Sequence, residues 1–421
     1  MLSHGHEESV NRPARARAAS AAVFSLAVVA CSGGLPGSAA FSPGTAGVHD
    51  AVPSGSVTKA YEFLRLMMDK YATGSTRRLV RSYANGKLKT LPDAFSYDDA
   101  LFIDAMLASG TPNDVARAKV VGNAFLYVSS YDPAGDGRVR AAYGPKPLKN
   151  PRDVKVDGRA SDVGDNAWVG QALVQLYDKT SDAAYLKGAL EIATWIQKNT
   201  YDTRGSGGYT GGYTSGGEKI KWKSTEHNID TYAFFTMLAT KSGEPRWSTR
   251  ASWAKRFVAS MWDQRAGRFY VGTLNDGVTP NKPFKPEDVN SWSYLAFRNP
   301  AWAAAPSWDG TNLAVSKDGY SGVSFCSGDR SGVWFEGTAH LADALELRNQ
   351  SGDQSKAQAY LDDIEFAQTN GINADGRGII AASKNGLSDC DGDKYFASLH
   401  VGATAWYIMS ASGANPFAIL P

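Results

Sequence analysis

Cysteine is scarce in this chain: three occur in 421 residues, too few for a disulfide framework. A dominant charge is lacking too. The 44 Lys and Arg nearly balance 42 Asp and Glu, for a formal net charge of +2, and no basic block stands out. That argues against nucleic acid as a partner. Long apolar runs are missing; the one at 18–30 is too short and too small-sided to span a membrane. Strand-like alternation is sparse. There is no His/Glu zinc spacing, no phosphate-cradling glycine loop and no nucleophile-elbow motif, which argues against metalloproteases, kinases and serine esterases. Asp389-Cys390-Asp391-Gly392-Asp393 alternates acids as calcium loops do. Its glycine comes too early and no distal Glu follows, so a solvated acidic turn is the better reading, and no metal site or cofactor is expected.

What the chain does have is apolar and aromatic mass. Hydrophobic residues make up 43%, with eleven Trp and nineteen Tyr beside 43 Gly, enough for a large core and for a sugar-binding groove. The N-terminus reads as a targeting segment, with Arg12, Arg15 and Arg17 ahead of the apolar run. Two exits are open. Val28-Val29-Ala30-Cys31 resembles a lipobox, which would anchor Cys31 to a membrane by a lipid; Gly37-Ser38-Ala39-Ala40 offers ordinary signal cleavage. The next stretch is rich in Gly, Pro, Ser and Ala and reads as a tether. Residues 1–55 are therefore set aside, and 56–421 are taken as one domain of a secreted or lipid-anchored protein. Cys326 and Cys390 then remain, and an oxidising compartment would allow them to pair.

From Val57 onward, amphipathic helical patterns alternate with Gly- or Pro-rich loops, at 61–71, 97–107, 115–131, 166–177, 183–198, 229–241, 248–262, 289–298, 334–348, 354–368 and 396–412. Residues 205–217 read as a Gly/Tyr loop or hairpin, and 268–273 as a short strand. Polar clusters recur at every second helix start. They are Tyr97-Asp98-Asp99, Asp165-Asn166-Ala167-Trp168, Glu226-His227-Asn228-Ile229-Asp230, Asp288-Val289-Asn290-Ser291-Trp292, Trp334-Phe335-Glu336-Gly337-Thr338 and Ser398-Leu399-His400. Their spacing is mostly about sixty residues, with one step near forty-five, a period that suits a helical hairpin plus loops. A helix cap explains one acid or hydroxyl at such a place, but not four polar side chains within 226–230. Six hairpins can close into a toroid with inner and outer rings, the clusters then facing one cavity. The helices between the clusters carry one solvated side and suit the outer ring.

On hairpin count, and on Asp165-Asn166-Ala167-Trp168 and Trp334-Phe335-Glu336-Gly337-Thr338, the chain resembles the six-hairpin glycosidase superfamily, over residues 57–421. The resemblance implies an all-α (α/α)6 toroid and a carbohydrate substrate. It leaves hydrolase, polysaccharide lyase, epimerase and non-catalytic glycan binder open.

The candidates are read from the residues. An inverting glycosidase needs two carboxyls about 6.5–9.5 Å apart, from different inner helices. Glu226 and Glu336 are favoured, their order open; Glu336 follows Trp334 and Phe335, and an apolar setting would raise its pKa. Asp98 and Asp99 diverge by about 100° on a helix, so one of them faces the cavity, although Ser96-Tyr97-Asp98-Asp99 also resembles a capping box. Asp165 and Asp162 are further candidates for a base or for binding sugar hydroxyls. His227 and His400 can donate to hydroxyls, with Asn166, Asn228 and Asp230 as further sugar ligands. Trp168, Trp222, Trp292 and Trp334 are stacking platforms or core, and Tyr213 and Tyr209 are platform candidates in an exposed loop. A lyase would draw on Arg140, Lys221 and Lys223. The expected partner is an oligo- or polysaccharide, and the expected state a monomer.

Overall fold

The computed structural model describes residues 55–71 and 77–421; the apolar leader, Cys31 and the tether lie outside the described residues. Twelve α-helices run in chain order. They are α1 (Gly55–Asp69), α2 (Ser96–Ser109), α3 (Pro112–Ser130), α4 (Val163–Thr180), α5 (Ala183–Thr200), α6 (Thr225–Ser242), α7 (Pro245–Ser260), α8 (Asp288–Phe297), α9 (Ala304–Asn312), α10 (Phe335–Arg348), α11 (Asp353–Asn370) and α12 (Val401–Ala411). The even-numbered helices pack side by side in sequence, and α12 returns to α2, closing an inner ring. Each odd-numbered helix packs on the outside of an even one, with α1 docking on α12, so the first helix seals against the last. The fold is an (α/α)6 toroid.

Inner and outer helices differ as burial demands. In α2 every residue from Ser96 to Leu107 is buried, because neighbours cover all its sides. In α5 the buried positions Tyr185, Gly188, Ala189, Ile192, Ala193 and Ile196 recur at helical spacing and leave one side wet. The ends follow ordinary capping chemistry. Gly110 and Gly243 close α2 and α6 in the left-handed region, and Asn349 does so for α10.

Four inner-helix starts lie within a few residues of expectation; α12 begins later, at Val401, and α6 begins earlier, at Thr225. Glu226, His227 and Asn228 sit inside its first turn, capped by Ser224, whose hydroxyl accepts from the His227 N–H. The capping box expected at Ser96 does not form. Ser96 is already helical, and its hydroxyl donates to the Arg140 carbonyl at 2.6 Å. The sequence pattern also passed over α9 and the antiparallel ladder of Ala314–Lys317 with Tyr320–Val323. The Gly/Tyr loop supplies the middle strand of a three-stranded ribbon: Gly212–Tyr213 pairs with Ser161–Asp162 and with Lys219–Ile220. Cys326 and Cys390 form a disulfide with Cα atoms 6.3 Å apart, joining the loop before α10 to the loop before α12.

The tube enclosed by the inner ring is filled. Trp292 stacks on Trp406 and Trp168 meets both edge-on, with Trp168 and Trp292 centroids 5.3 Å apart, and His340 lies 4.3 Å from Trp406. Phe417 enters from below, 5.1 Å from Trp168 and 5.5 Å from Trp292. The C-terminal segment crosses the C-terminal ends of the inner helices. Asn415 Nδ2 donates to the Leu295 carbonyl at 2.9 Å, and Gln175 holds Ala418 and Leu420 at 2.7 and 3.0 Å.

Candidate active site

The inner helices share a register that organises the opposite mouth. One residue in the first turn of each receives a backbone N–H from the strand or loop that precedes the hairpin. Asp99 Oδ1 accepts from Val80 (2.8 Å), Asn166 Oδ1 from Val139 (2.9 Å), Asn228 Oδ1 from Tyr209 (2.9 Å) and Asn290 Oδ1 from Phe269 (2.8 Å). Thr338 Oγ1 accepts from Val323 (3.1 Å) and Thr404 Oγ1 from Ile379 (2.9 Å). These six staples satisfy backbone groups that burial would otherwise strand. Asn166 and Asn228, expected as sugar ligands, spend their amides here. Asn166 Nδ2 donates to the Val139 and Asp162 carbonyls, and Asn228 Nδ2 to those of Tyr209 and Ser224.

Two residues after each staple comes the floor: Leu101, Trp168, Asp230, Trp292, His340 and Trp406. Trp168 and Trp292 are therefore core, not stacking platforms, since no ring face is left uncovered. Trp334 is likewise buried, packed against Phe325, Tyr395 and His340. Tyr213 turns to the outer ring, 6.1 Å from Trp195 and 5.0 Å from the Arg138 guanidinium, and Tyr209 is buried. Trp222 stays half-exposed, its ring 6.0 Å from His227.

Two residues before each staple is the rim: Tyr97, Gly164, Glu226, Asp288, Glu336 and Gly402. Three adjacent helices thus bring acids to one level, and Asp98 and Asp165 join them from α2 and α4. Helix N-termini favour negative charge at these positions. The environments differ. Asp98 Oδ2 lies 3.1 Å from His400 Nε2, and His400 Nδ1 lies 3.5 Å from Glu336 Oε2. The Ala403 N–H donates to His400 Nδ1, leaving Nε2 to donate to Asp98. Tyr83 stacks on the imidazole at 4.4 Å. Burial pushes the Asp98 carboxyl up, but the electrostatic pull of the His400 ring and its hydrogen bond outweigh it and hold Asp98 below the usual carboxylate range. Asp99, one position on, points away to its staple.

The other acids go the opposite way. Burial raises Glu336, with His400 pulling back and Asp98 pushing further; its Oε1 accepts from the Tyr97 hydroxyl at 2.8 Å, which in turn accepts from Trp406 Nε1 at 2.8 Å. Burial, partly offset by the Val289 N–H, pushes Asp288 up to about 7, with Glu336 adding to the rise. Glu226 is raised by burial, then by Asp288 and Asp230, and its Oε1 has no partner. Asp165 is raised by burial and by Asp162, the residue that caps its helix. Burial holds His227 down to about 4, so it is neutral, and its Nδ1 has no partner.

Sequence reasoning left several residues out of the site. Asp288 lay inside a quoted cluster, and its place in register with Glu226 and Glu336 was the available signal. His340 Nδ1 lies 3.1 Å from Glu287 Oε2, and Asn290 Nδ2 donates to Asp309 at 2.8 Å, a buried network behind the rim. Nothing in the sequence links Glu287 and Asp309 to it. Two of the cations considered for a lyase are engaged elsewhere: Arg140 pairs with Asp132, and Lys223 lies 3.0 Å from Asp202, while Lys221 is exposed. Asp389 uses one carboxylate oxygen to receive the N–H groups of Asp391, Gly392 and Asp393, holding its own turn.

No protein-family model matches the sequence, and no curated protein matches it. Solved structures do. Cellobiose 2-epimerase from Bacillus thermoamylovorans superposes with a TM-score of 0.62 at 11% identity, covering 84% of this chain and 99% of the other. A family 76 glycoside hydrolase, a mannosidase from Bacteroides thetaiotaomicron, gives 0.58 at 14% identity, covering 85% and 97%. D-mannose isomerase gives 0.58 at 12%, covering 84% and 97%. At this level of identity the likeness shows a shared fold, the (α/α)6 toroid.

Proposed function

We propose that this chain is a carbohydrate-active enzyme, a glycoside hydrolase that works through paired carboxyl groups at the mouth of the toroid. One observation carries the reading: carboxyls from five adjacent inner helices converge on one rim, and their surroundings push them apart in acidity. Hydrolysis of a glycosidic bond needs one carboxyl protonated and another ionised at the same pH. In this reading Glu226, at the half-exposed edge, gives its proton to the leaving oxygen. The base comes from the cluster of Asp98, His400 and Glu336, of which Asp98 is the member held ionised. Tyr97 and His400 orient Glu336, and Trp222 is the aromatic surface available to a sugar ring.

With Arg140 tied to Asp132 and Lys223 to Asp202, two of the cations that a uronic-acid substrate would call on are spent elsewhere, which speaks against such a substrate. Export to an oxidising compartment, by secretion or through a lipid on Cys31, fits the Cys326–Cys390 bridge.

The test is a panel of neutral and amino oligosaccharides with product analysis. E226Q and D98N are each expected to lower turnover by about 10²–10⁴-fold while the fold persists by circular dichroism. Full activity in both variants overturns the assignment. The neutral, unpartnered His227 favours a second reading, proton abstraction beside a sugar carbonyl, of the kind named for the epimerase and isomerase neighbours. Deuterium entering the sugar from heavy water, without cleavage, would select it.

A further inference from the structure

We infer that Tyr395 is a substrate-contacting residue, whose phenol donates a hydrogen bond to a sugar oxygen seated beside Glu336. The Cys326–Cys390 bridge acts through it, by holding the hairpin that carries it. The inference rests on the carbohydrate reading above and deepens it.

Tyr395 closes a hairpin ahead of α12, in which Leu387–Ser388 pairs with Lys394–Tyr395. Its ring is wedged against Phe325 and Trp334, with centroids 5.6 and 5.5 Å away, and the residue is 6% exposed. Trp334 caps α10, and Glu336 follows two residues later. A phenylalanine would fill that space as well, so the hydroxyl needs a reason. For other buried tyrosines the reason is visible. The hydroxyls of Tyr97, Tyr185, Tyr209 and Tyr407 donate to side-chain oxygens of Glu336, Asn123, Gln197 and Glu365, at 2.8, 3.0, 2.9 and 2.8 Å. The Tyr395 hydroxyl makes no hydrogen bond among the described residues. Leaving a buried hydroxyl unmet is costly, so a partner from the ligand is called for.

The surroundings say which kind. Burial first, then Glu336, Tyr83, Asp389 and Asp288, hold the phenol well above its usual range, so it stays protonated and is a donor. Glu336 and Asp288 are rim acids, which places the phenol at the mouth. That rim is rich in acceptors and short of free donors: Tyr97 gives its proton to Glu336, and His400 Nε2 is spent on Asp98. A sugar hydroxyl both donates and accepts, and carboxylates meet only the first need. Tyr395 supplies the second.

The hairpin is fixed from one side. Cys390, at its turn, is bonded to Cys326, and the Ser388 N–H donates to Asp329 Oδ2 at 2.9 Å. Both anchors lie in the loop that leads into α10, so the hairpin and Glu336 keep one spacing.

The experiment is calorimetric binding of cello-, manno- and chito-oligosaccharides to the full chain, with cleavage measured in parallel. Y395F removes the hydroxyl and keeps the ring. It is expected to weaken binding of the preferred sugar about three- to tenfold, the worth of one neutral hydrogen bond. Its unfolding midpoint should not fall, since no protein partner is lost. The Cys326→Ser, Cys390→Ser variant should weaken binding too, and adding Y395F to it should cost less than Y395F costs alone. Wild-type affinity in Y395F overturns the inference even where the sugar is cleaved, and the hydrolase reading then stands. A lowered midpoint in Y395F overturns it as well, because the hydroxyl then serves the fold. Independent, additive losses overturn the part assigned to the bridge. Weaker binding by Y395F of a sugar that wild type does not cleave leaves the inference standing and removes the hydrolase. No binding of any of these sugars overturns both.

Discussion

Residue chemistry in this protein is divided by single steps along a helix. Asp98 meets His400, while Asp99 holds the Val80 N–H. Sequence alone anticipated that the two would part, because adjacent helical residues diverge by about 100°. It did not separate Asn166 and Asn228 from sugar ligands, since an amide inside a polar cluster looks the same whether it meets a hydroxyl or a backbone N–H. Their task makes a prediction. Asn166→Ala strands the buried Val139 N–H and two carbonyls, so it should cost about 2 kcal/mol of stability, measured by urea unfolding. Were Asn166 a sugar ligand, the same change would instead leave unfolding unmoved and weaken substrate binding.

At the scale of elements, what was legible came from periodicity. Long amphipathic patterns with a polar start marked the inner helices, and the matching register at each start follows from that repetition. Helix α9 escaped because its nine residues include Pro306, Gly310 and few apolar positions. The paired strands at 314–323 escaped because each is only four residues long. The pairing of Cys326 with Cys390 could not be read from spacing, since proximity across 64 residues depends on the ring. That bridge ties together the approaches to α10 and α12, which carry Glu336 and His400. Chain-entropy arguments give a loop of 64 residues about 4 kcal/mol of stabilisation. A Cys326→Ser, Cys390→Ser double variant should lose a comparable amount in denaturant unfolding. An unchanged midpoint would mean that the surrounding loops hold without it.

The whole molecule buries acid on a scale that sets its response to pH. Asp343, on α10 away from the mouth, is raised by burial to about 8, with Glu346 adding and Arg298 pulling back. The unfolded chain releases this proton near 3.8, so between there and about 8 the native state holds more protons than the unfolded one. Stability from this group is therefore full below 3.8 and is lost as pH rises through about 8. His227 acts in the opposite sense, weakening the fold as pH falls from 6.5 to about 4. Asp343→Asn should flatten the decline between pH 3.8 and about 8 and raise the melting temperature at pH 8; a parallel decline in variant and wild type would show that the carboxyl does not set the slope.

The aromatic filling beneath the mouth, sealed by Phe417, also constrains how a long substrate is handled. A tunnel lets a polymer thread through and be shortened repeatedly without letting go. A cup with a solid bottom does not: the chain must present a terminus or bend across the lip, and each product leaves by the route it entered.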